Sequence, residues 1–188
     1  MRYTIRIFIL AICAVVIGTK ALWAEEFAYN GLRYETINKR QVRVVADPTD
    51  SVYRLLTEVA VPAKVSYNGR NYQVTEIDDY AFRYCHLIRT LELPEGLRKI
   101  GYQSMMNCTQ LAMIRLPQSL RKVDEMAFYG CASLQTVYVG KRIKQWPEMC
   151  FSDCTALRTI YHSNKRAPRA KAMTFFNCSD SITYYRAH

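Results

Sequence analysis

The feature that most constrains this chain is a cysteine that returns at a fixed interval. Cys85, Cys108, Cys131 and Cys154 stand 23 residues apart, and Cys178 follows after 24. Self-similarity at a period of about 20–50 residues marks a solenoid, in which each coil buries its apolar side against its neighbours. Other positions keep the same interval. Four and three residues before each Cys, a small residue precedes a large one at Ala81-Phe82, Ser104-Met105, Ala127-Phe128, Cys150-Phe151 and Thr174-Phe175. Eight residues before it stand Ile77, Ile100, Val123 and Trp146, and six and eight after it come Leu91/Leu93, Ile114/Leu116, Val137/Val139 and Ile160/His162. Apolar pairs two residues apart share one face of an extended segment, so each coil is expected to contribute a short strand. Pro94 and Pro117 close the first two of these strands.

Written from this sequence, one unit is Leu91-x-Leu93-Pro94-x-x-Leu97-x-x-Ile100-Gly101-x-x-x-Met105-x-x-Cys108. It closely resembles the BspA-like leucine-rich repeats of bacterial surface proteins, whose signature reads L-P-x-x-L-x-x-I-G-x-x-A-F-x-x-C. The resemblance spans roughly residues 59 to 188; Gly101 is replaced by Asp124 and Pro147 in later coils, and the fifth unit is cut short. The resemblance implies an α/β-type leucine-rich-repeat solenoid, with short parallel strands plus short helical or irregular turns, and a location outside the cell. Partners in such a family vary, so it implies no particular ligand.

The N-terminus reads as a secretory signal over residues 1–24. Arg2 and Arg6 form the positive region, Ile7 to Ile17 the apolar run, and Ala21-Leu22-Trp23-Ala24 the cleavage site before Glu25. Lipid attachment at Cys13 is the alternative; the bulky Ile12 before it and the apolar run continuing to Ile17 argue against it. The run is shorter than the roughly 20 residues of a membrane span, and no second one follows. A secreted or cell-surface protein with no transmembrane segment in the mature chain is therefore expected. Residues 1–24 hold three of the 26 basic residues and no acid, leaving 23 basic against 16 acidic, a net charge of +7. A basic surface favours acidic partners such as anionic glycans, nucleic acid or lipid head groups. Export removes the case for nucleic acid.

Export also favours disulfides, but the interval argues otherwise. Equivalent residues in successive coils stack about 4.8 Å apart with parallel side chains. A disulfide needs Cβ atoms near about 3.8 Å on converging vectors. Cys85, Cys108, Cys131, Cys154 and Cys178 are therefore expected as a column of buried thiols, with Cys150 as a further small core residue. No Cys-x-x-Cys pair points to zinc, and no metal or other cofactor is expected.

Residues 25–73 read as a β-rich cap grading into a degenerate first coil, and 74–188 as the repeats. Phe27, Tyr29, Asn30-Gly31, Leu32, Tyr34 and Thr36 predict a hairpin with a tight turn, and Val42 to Val45 a further strand ended by Asp47-Pro48. Asp47 to Thr57 is a loop, Val59 to Pro62 a strand, and Asn68-Gly69 the turn of a second hairpin. A cap is required because an end coil otherwise exposes its apolar side and strand edge. The last half-coil, Thr174 to Tyr185, closes the stack shortly before His188, so no second domain is expected.

With Leu91 and Leu93 inward, Thr90 and Glu92 face outward. The equivalent pairs are Met113/Arg115, Thr136/Tyr138, Thr159/Tyr161 and Thr183/Tyr185. Tyr138, Tyr161 and Tyr185 thus form a ladder beside Arg115. Tyrosine and arginine dominate binding hot spots, and aromatic ladders suit sugar rings; Tyr and Thr are equally good formers of an exposed strand. A basic edge is the second candidate, carried by Arg98, Lys99, Arg121, Lys122 and Lys144, with Lys141-Arg142, Lys165-Arg166, Arg169 and Lys171 in the same region. Lysine on a solenoid edge also serves to prevent unwanted pairing.

Catalysis is not expected. His86, His162 and His188 have no metal-protease spacing, and no Gly-x-Ser-x-Gly or phosphate loop occurs. Three functions remain open. One is an adhesin-like module for a protein partner. The second is a binder of glycans or anionic polymers through the ladder and basic edge. The third is a structural component or oligomer assembled at an open solenoid end.

Overall fold

A computed structural model describes residues 24–49 and 51–187; the signal segment before Ala24 and the alternative lipid site at Cys13 lie outside the described residues. Strands form where alternate side chains have a core to enter. β1 (Glu26–Tyr29) and β2 (Leu32–Asn38) make an antiparallel hairpin, and Asn30 and Gly31 turn it with φ of 48° and 79°. Two left-handed residues in a row are what a two-residue hairpin of this hand requires. β3 (Gln41–Val45) lies antiparallel on β2. A 3-10 turn at Tyr53–Leu55 precedes β4 (Glu58–Ala60). β5 (Lys64–Tyr67) and β6 (Arg70–Ile77) form the second hairpin through Asn68-Gly69, at φ of 48° and 72°.

From there the strands become short and periodic: β7 (Thr90–Glu92), β8 (Lys99–Ile100), β9 (Met113–Arg115), β10 (Lys122–Val123), β11 (Thr136–Val139), β12 (Thr159–His162) and β13 (Thr183–Arg186). They stack in two columns. One continues the N-terminal hairpins in the order β1-β2-β3-β6-β8-β10, parallel from β3 onward, and a Gln145–Arg169 bridge extends it. The other runs β9-β11-β12-β13, all parallel, with Thr136 in register with Met113 and Thr159, and Thr159 with Thr183. This second column is interrupted. β7 pairs with β4, and lies beside β9 without a ladder between them.

The third side of each coil is an irregular turn, the second of the two forms implied for the repeat. Two residues per coil have positive φ: Tyr80, Gln103, Met126, Met149 and Met173 in one row, and Tyr84, Asn107, Gly130, Asp153 and Asn177 in the other. The alternation aims amides at the next coil. Phe82 N donates to Ser104 O at 2.7 Å, Met105 N to Ala127 O at 2.9 Å, Phe128 N to Cys150 O at 3.0 Å and Phe151 N to Thr174 O at 2.9 Å.

The periodic residues meet inside. Ala81, Ser104, Ala127, Cys150 and Thr174 are buried, as are Phe82, Met105, Phe128 and Phe151, and Phe128, Phe151 and Phe175 stack at 5.3 and 5.7 Å between ring centres. Among the described residues no disulfide joins the six cysteines. The recurring ones bind coil to coil: Cys108 Sγ donates to Phe82 O at 3.3 Å, Cys131 to Met105 O at 3.2 Å, Cys154 to Phe128 O at 3.1 Å and Cys178 to Phe151 O at 2.9 Å. Cysteine suits the place because it is small, apolar and still carries a weak donor. The hairpins close the N-terminal end, with Phe27 stacked 4.2 Å from Tyr67 and Tyr53 stacked 5.3 Å from Phe82 of the first repeat.

Candidate binding face

The register of the second strand column decides what faces outward. Arg115 lies opposite Tyr138, Tyr138 opposite Tyr161, and Tyr161 opposite Tyr185. Strand spacing in a parallel ladder is close to the centre-to-centre separation of offset-stacked rings, and the side chains use it. Tyr138 and Tyr161 stack at 4.8 Å with planes 8° apart, and Tyr161 and Tyr185 at 5.4 Å and 26°. The Arg115 guanidinium carbon sits 3.8 Å over the other face of Tyr138. The four expected residues thus form one continuous stack.

Stacking changes what the ladder offers. Both faces of Tyr138 and of Tyr161 are covered by their neighbours. Only ring edges, hydroxyl tips and the outer face of Tyr185 remain open, so this is not a platform on which successive sugar rings lie flat. It is a fixed row of edges and hydroxyls, with the positive edge of an aromatic ring and the phenol oxygen both available to polar groups. The rows also hold the side chains rigid before any partner arrives, which lowers the entropy cost of binding.

A groove of about 400 Å³ runs beside the stack, lined by Leu93, Arg115, Gln118, Tyr138, Tyr161 and Ser163. Where β7 and β9 fail to pair, a hollow of about 470 Å³ adjoins it, lined by Leu91, Leu93, Met113 and Arg115 among others. Met113 is 44 % exposed, an apolar side chain at the mouth of that hollow. Gln118 and Ser163 are not singled out by the sequence, and Leu93 only as an inward position of the repeat. Leu93 keeps its place in the apolar pattern, and nothing in the pattern announces that the ladder breaks beside it.

The basic edge is more mixed than the row of Lys and Arg suggests. Lys99 and Lys122 stand in register, and both reach Asp124, at 3.3 and 2.6 Å; Lys99 also faces Asp79 at 3.9 Å. The hydrogen bond that Lys122 donates to Asp124 holds its ammonium above its usual pKa. Lys144 donates to Asn164 Oδ1 at 2.7 Å. Arg98 and Arg121 are exposed. Asp124 occupies the place of Gly101, so the departure from the repeat signature supplies the carboxylate that neutralises the lysines.

His162, at the inward position of its strand, is buried, with Nδ1 3.1 Å from Asn164 O. His86 is exposed, 6.0 Å from the Tyr84 ring. Among the described residues no group of three His, Cys, Asp or Glu is placed to hold a metal ion, and no helix is long and apolar enough to cross a membrane.

Comparison with known proteins agrees with this architecture. The family model for the BspA type leucine rich repeat region matches residues 75–186 in six copies. A T. pallidum leucine-rich repeat protein shares the fold at a TM-score of 0.70 with 23 % identity, over 85 % of this chain and 71 % of that one. A leucine-rich repeat protein from Bacteroides capillosus matches at 0.62 and 22 %, over 73 % of this chain and 97 % of its own. A leucine rich cell surface protein from Faecalibacterium prausnitzii matches at 0.57 and 17 %, over 86 % and 54 %. No curated protein matches the sequence. With the repeat pattern, the two strand columns and the family match in agreement, the chain belongs to the BspA-type leucine-rich repeat family.

Proposed function

We propose that this protein is an exported, non-catalytic binding protein that acts at or outside the cell surface and holds a protein partner against its strand face. The observation that carries the reading is the Arg115–Tyr138–Tyr161–Tyr185 stack. Its rings are locked in place by their own neighbours and present edges, hydroxyls and one guanidinium. Such residues supply large contact area at low entropic cost in protein interfaces. The apolar hollow at Leu93 and Met113 supplies a place for a buried anchor beside the polar row. Covered ring faces favour a protein over a glycan at this site. The signal-like N-terminus supports export, as does the F. prausnitzii neighbour described as a cell surface protein.

The test is an array of host-matrix and cell-surface proteins probed with the mature chain from Glu25, beside the Tyr138→Ala/Tyr161→Ala double variant. The wild type binds a protein ligand that survives high salt, and the double variant loses at least about tenfold in affinity. Equal binding by the variant, at an unchanged thermal midpoint, removes the strand face as the site.

A further inference from the structure

The corner between the two strand columns changes character along the solenoid. In the early coils its residues serve the backbone. The Glu95 carboxylate accepts from the amides of Gln118 and Ser119 at 2.9 and 3.2 Å. One repeat on, Gln118 Oε1 accepts from the Lys141 amide at 3.1 Å. Ser119 Oγ accepts from Gly96 N and donates to Leu97 O, both at 2.8 Å. A further repeat on, the places of Gln118 and Ser119 are taken by Lys141 and Arg142, and Lys165 and Arg166 follow in the next corner. At Lys141 and Arg142 exposed cations replace the stitching side chains, and in the next corner the buried Asn164 alone resumes the role, donating to Ile143 O at 2.7 Å.

Charge segregates accordingly. Residues 74–139 hold seven basic and seven acidic side chains; residues 140–171 hold eight basic and two acidic, an excess of +6. Among the described residues, no ion pair or side-chain hydrogen bond engages Lys141, Arg142, Lys165, Arg166, Arg169 or Lys171, all of which are exposed. The Gln145–Arg169 bridge and the bond from Arg169 N to Lys144 O at 3.0 Å set the two rows side by side. The protective use of lysine does not account for the four corner cations. Lys141, Arg142, Lys165 and Arg166 lie on the corner, away from the open strand edges, which are β13 with its Arg186 and the bridge at Arg169.

We propose that this corner of the last two coils is a docking surface for an acidic polysaccharide, a linear chain bearing carboxylate or sulfate groups. Two parallel rows of cations match charges spaced along a chain, and the arginines among them can grip carboxylate or sulfate in a two-point fork. None of these residues belongs to the tyrosine stack, so the site stands apart from the strand-face reading.

The experiment uses the mature protein and titrates it with a heparin-derived oligosaccharide and with polygalacturonate, over a salt series. A Lys141→Gln/Arg142→Gln/Lys165→Gln/Arg166→Gln variant is compared with Lys39→Gln/Arg40→Gln/Lys64→Gln/Arg70→Gln, which removes the same charge from exposed places in the N-terminal hairpins. The wild type binds at least one of the two chains, salt weakens it steeply, and the corner variant loses at least about tenfold while the hairpin variant changes less than about twofold. The Tyr138→Ala/Tyr161→Ala protein binds these chains like the wild type. Equal losses in the two charge variants would reduce the effect to net charge and overturn the site. Absence of binding to both polysaccharides overturns it too, and capture by phosphatidylglycerol vesicles alone would give the surface to lipid instead.

Discussion

Burial pushes the thiols of Cys108 and Cys150 well above the usual value, and Cys131 is raised by a hydrogen bond with Cys154 together with burial. A raised thiol pKa means less thiolate, the form that attacks alkylating reagents, at any working pH. Cys178, at the last coil, is only half-buried and raised less. Iodoacetamide at mildly alkaline pH is therefore expected to label Cys178 first in the native protein. Cys85, Cys108, Cys131, Cys150 and Cys154 react only after denaturant is added, as peptide mass spectrometry of a labelling time course can show. Simultaneous native labelling of the inner thiols would mean that the column is open to solvent. The interval of these residues is legible in the sequence because one small side chain recurs. The acceptors of their S–H groups are not, since a carbonyl leaves no mark on residue type.

At the scale of the coil, Gly101 shows how closely neighbouring turns approach. A Cβ there would lie 2.5 Å from Asp79 Oδ1, 2.6 Å from Asp79 N and 2.7 Å from Asp78 C. Two of these atoms are backbone, so the preceding coil must move to admit a methyl group. Gly101→Ala is expected to cost about 1–3 kcal/mol, typical of overpacking, read as a lower urea midpoint at unchanged slope. An unchanged midpoint would show that the approach is slack. The Gly recurs in the repeat signature, so its place was readable, and so were the hairpin turns at Asn30-Gly31 and Asn68-Gly69 and the order Arg115, Tyr138, Tyr161, Tyr185. What the ladder does with its ring faces was not readable, because stacking depends on side-chain torsions rather than on register. The pairing of Lys99 and Lys122 with Asp124 was hidden for another reason. In the repeat frame Asp124 reads as a lost glycine, and its gain of a carboxylate between two lysines emerges only when three coils are superposed.

Across the whole molecule the two ends are unlike. The N-terminal end is sealed by hairpins with Phe27, Tyr34 and Tyr53 beneath them, whereas β13 is exposed throughout and Met173 and Phe176 are 51 % and 57 % exposed. Solenoid stability sums over coils and the contacts between them, so the last coil, with one neighbour, opens most easily. Hydrogen exchange is expected to be fast over residues 172–187 and slow over β8 to β11, and uniform protection along the chain would refute that order. The amides of the turn side carry a further consequence. Those of Phe82, Met105, Phe128 and Phe151 donate toward the following coil, so the dipoles of these four point the same way along the solenoid axis. The positive pole of that array is the last coil, the same end that holds the surplus cations of residues 140–171. The molecule is thus electrically polar along its solenoid axis. An anionic surface met in solution would turn such a body while it is still diffusing, with its last coils leading and its hairpin end trailing.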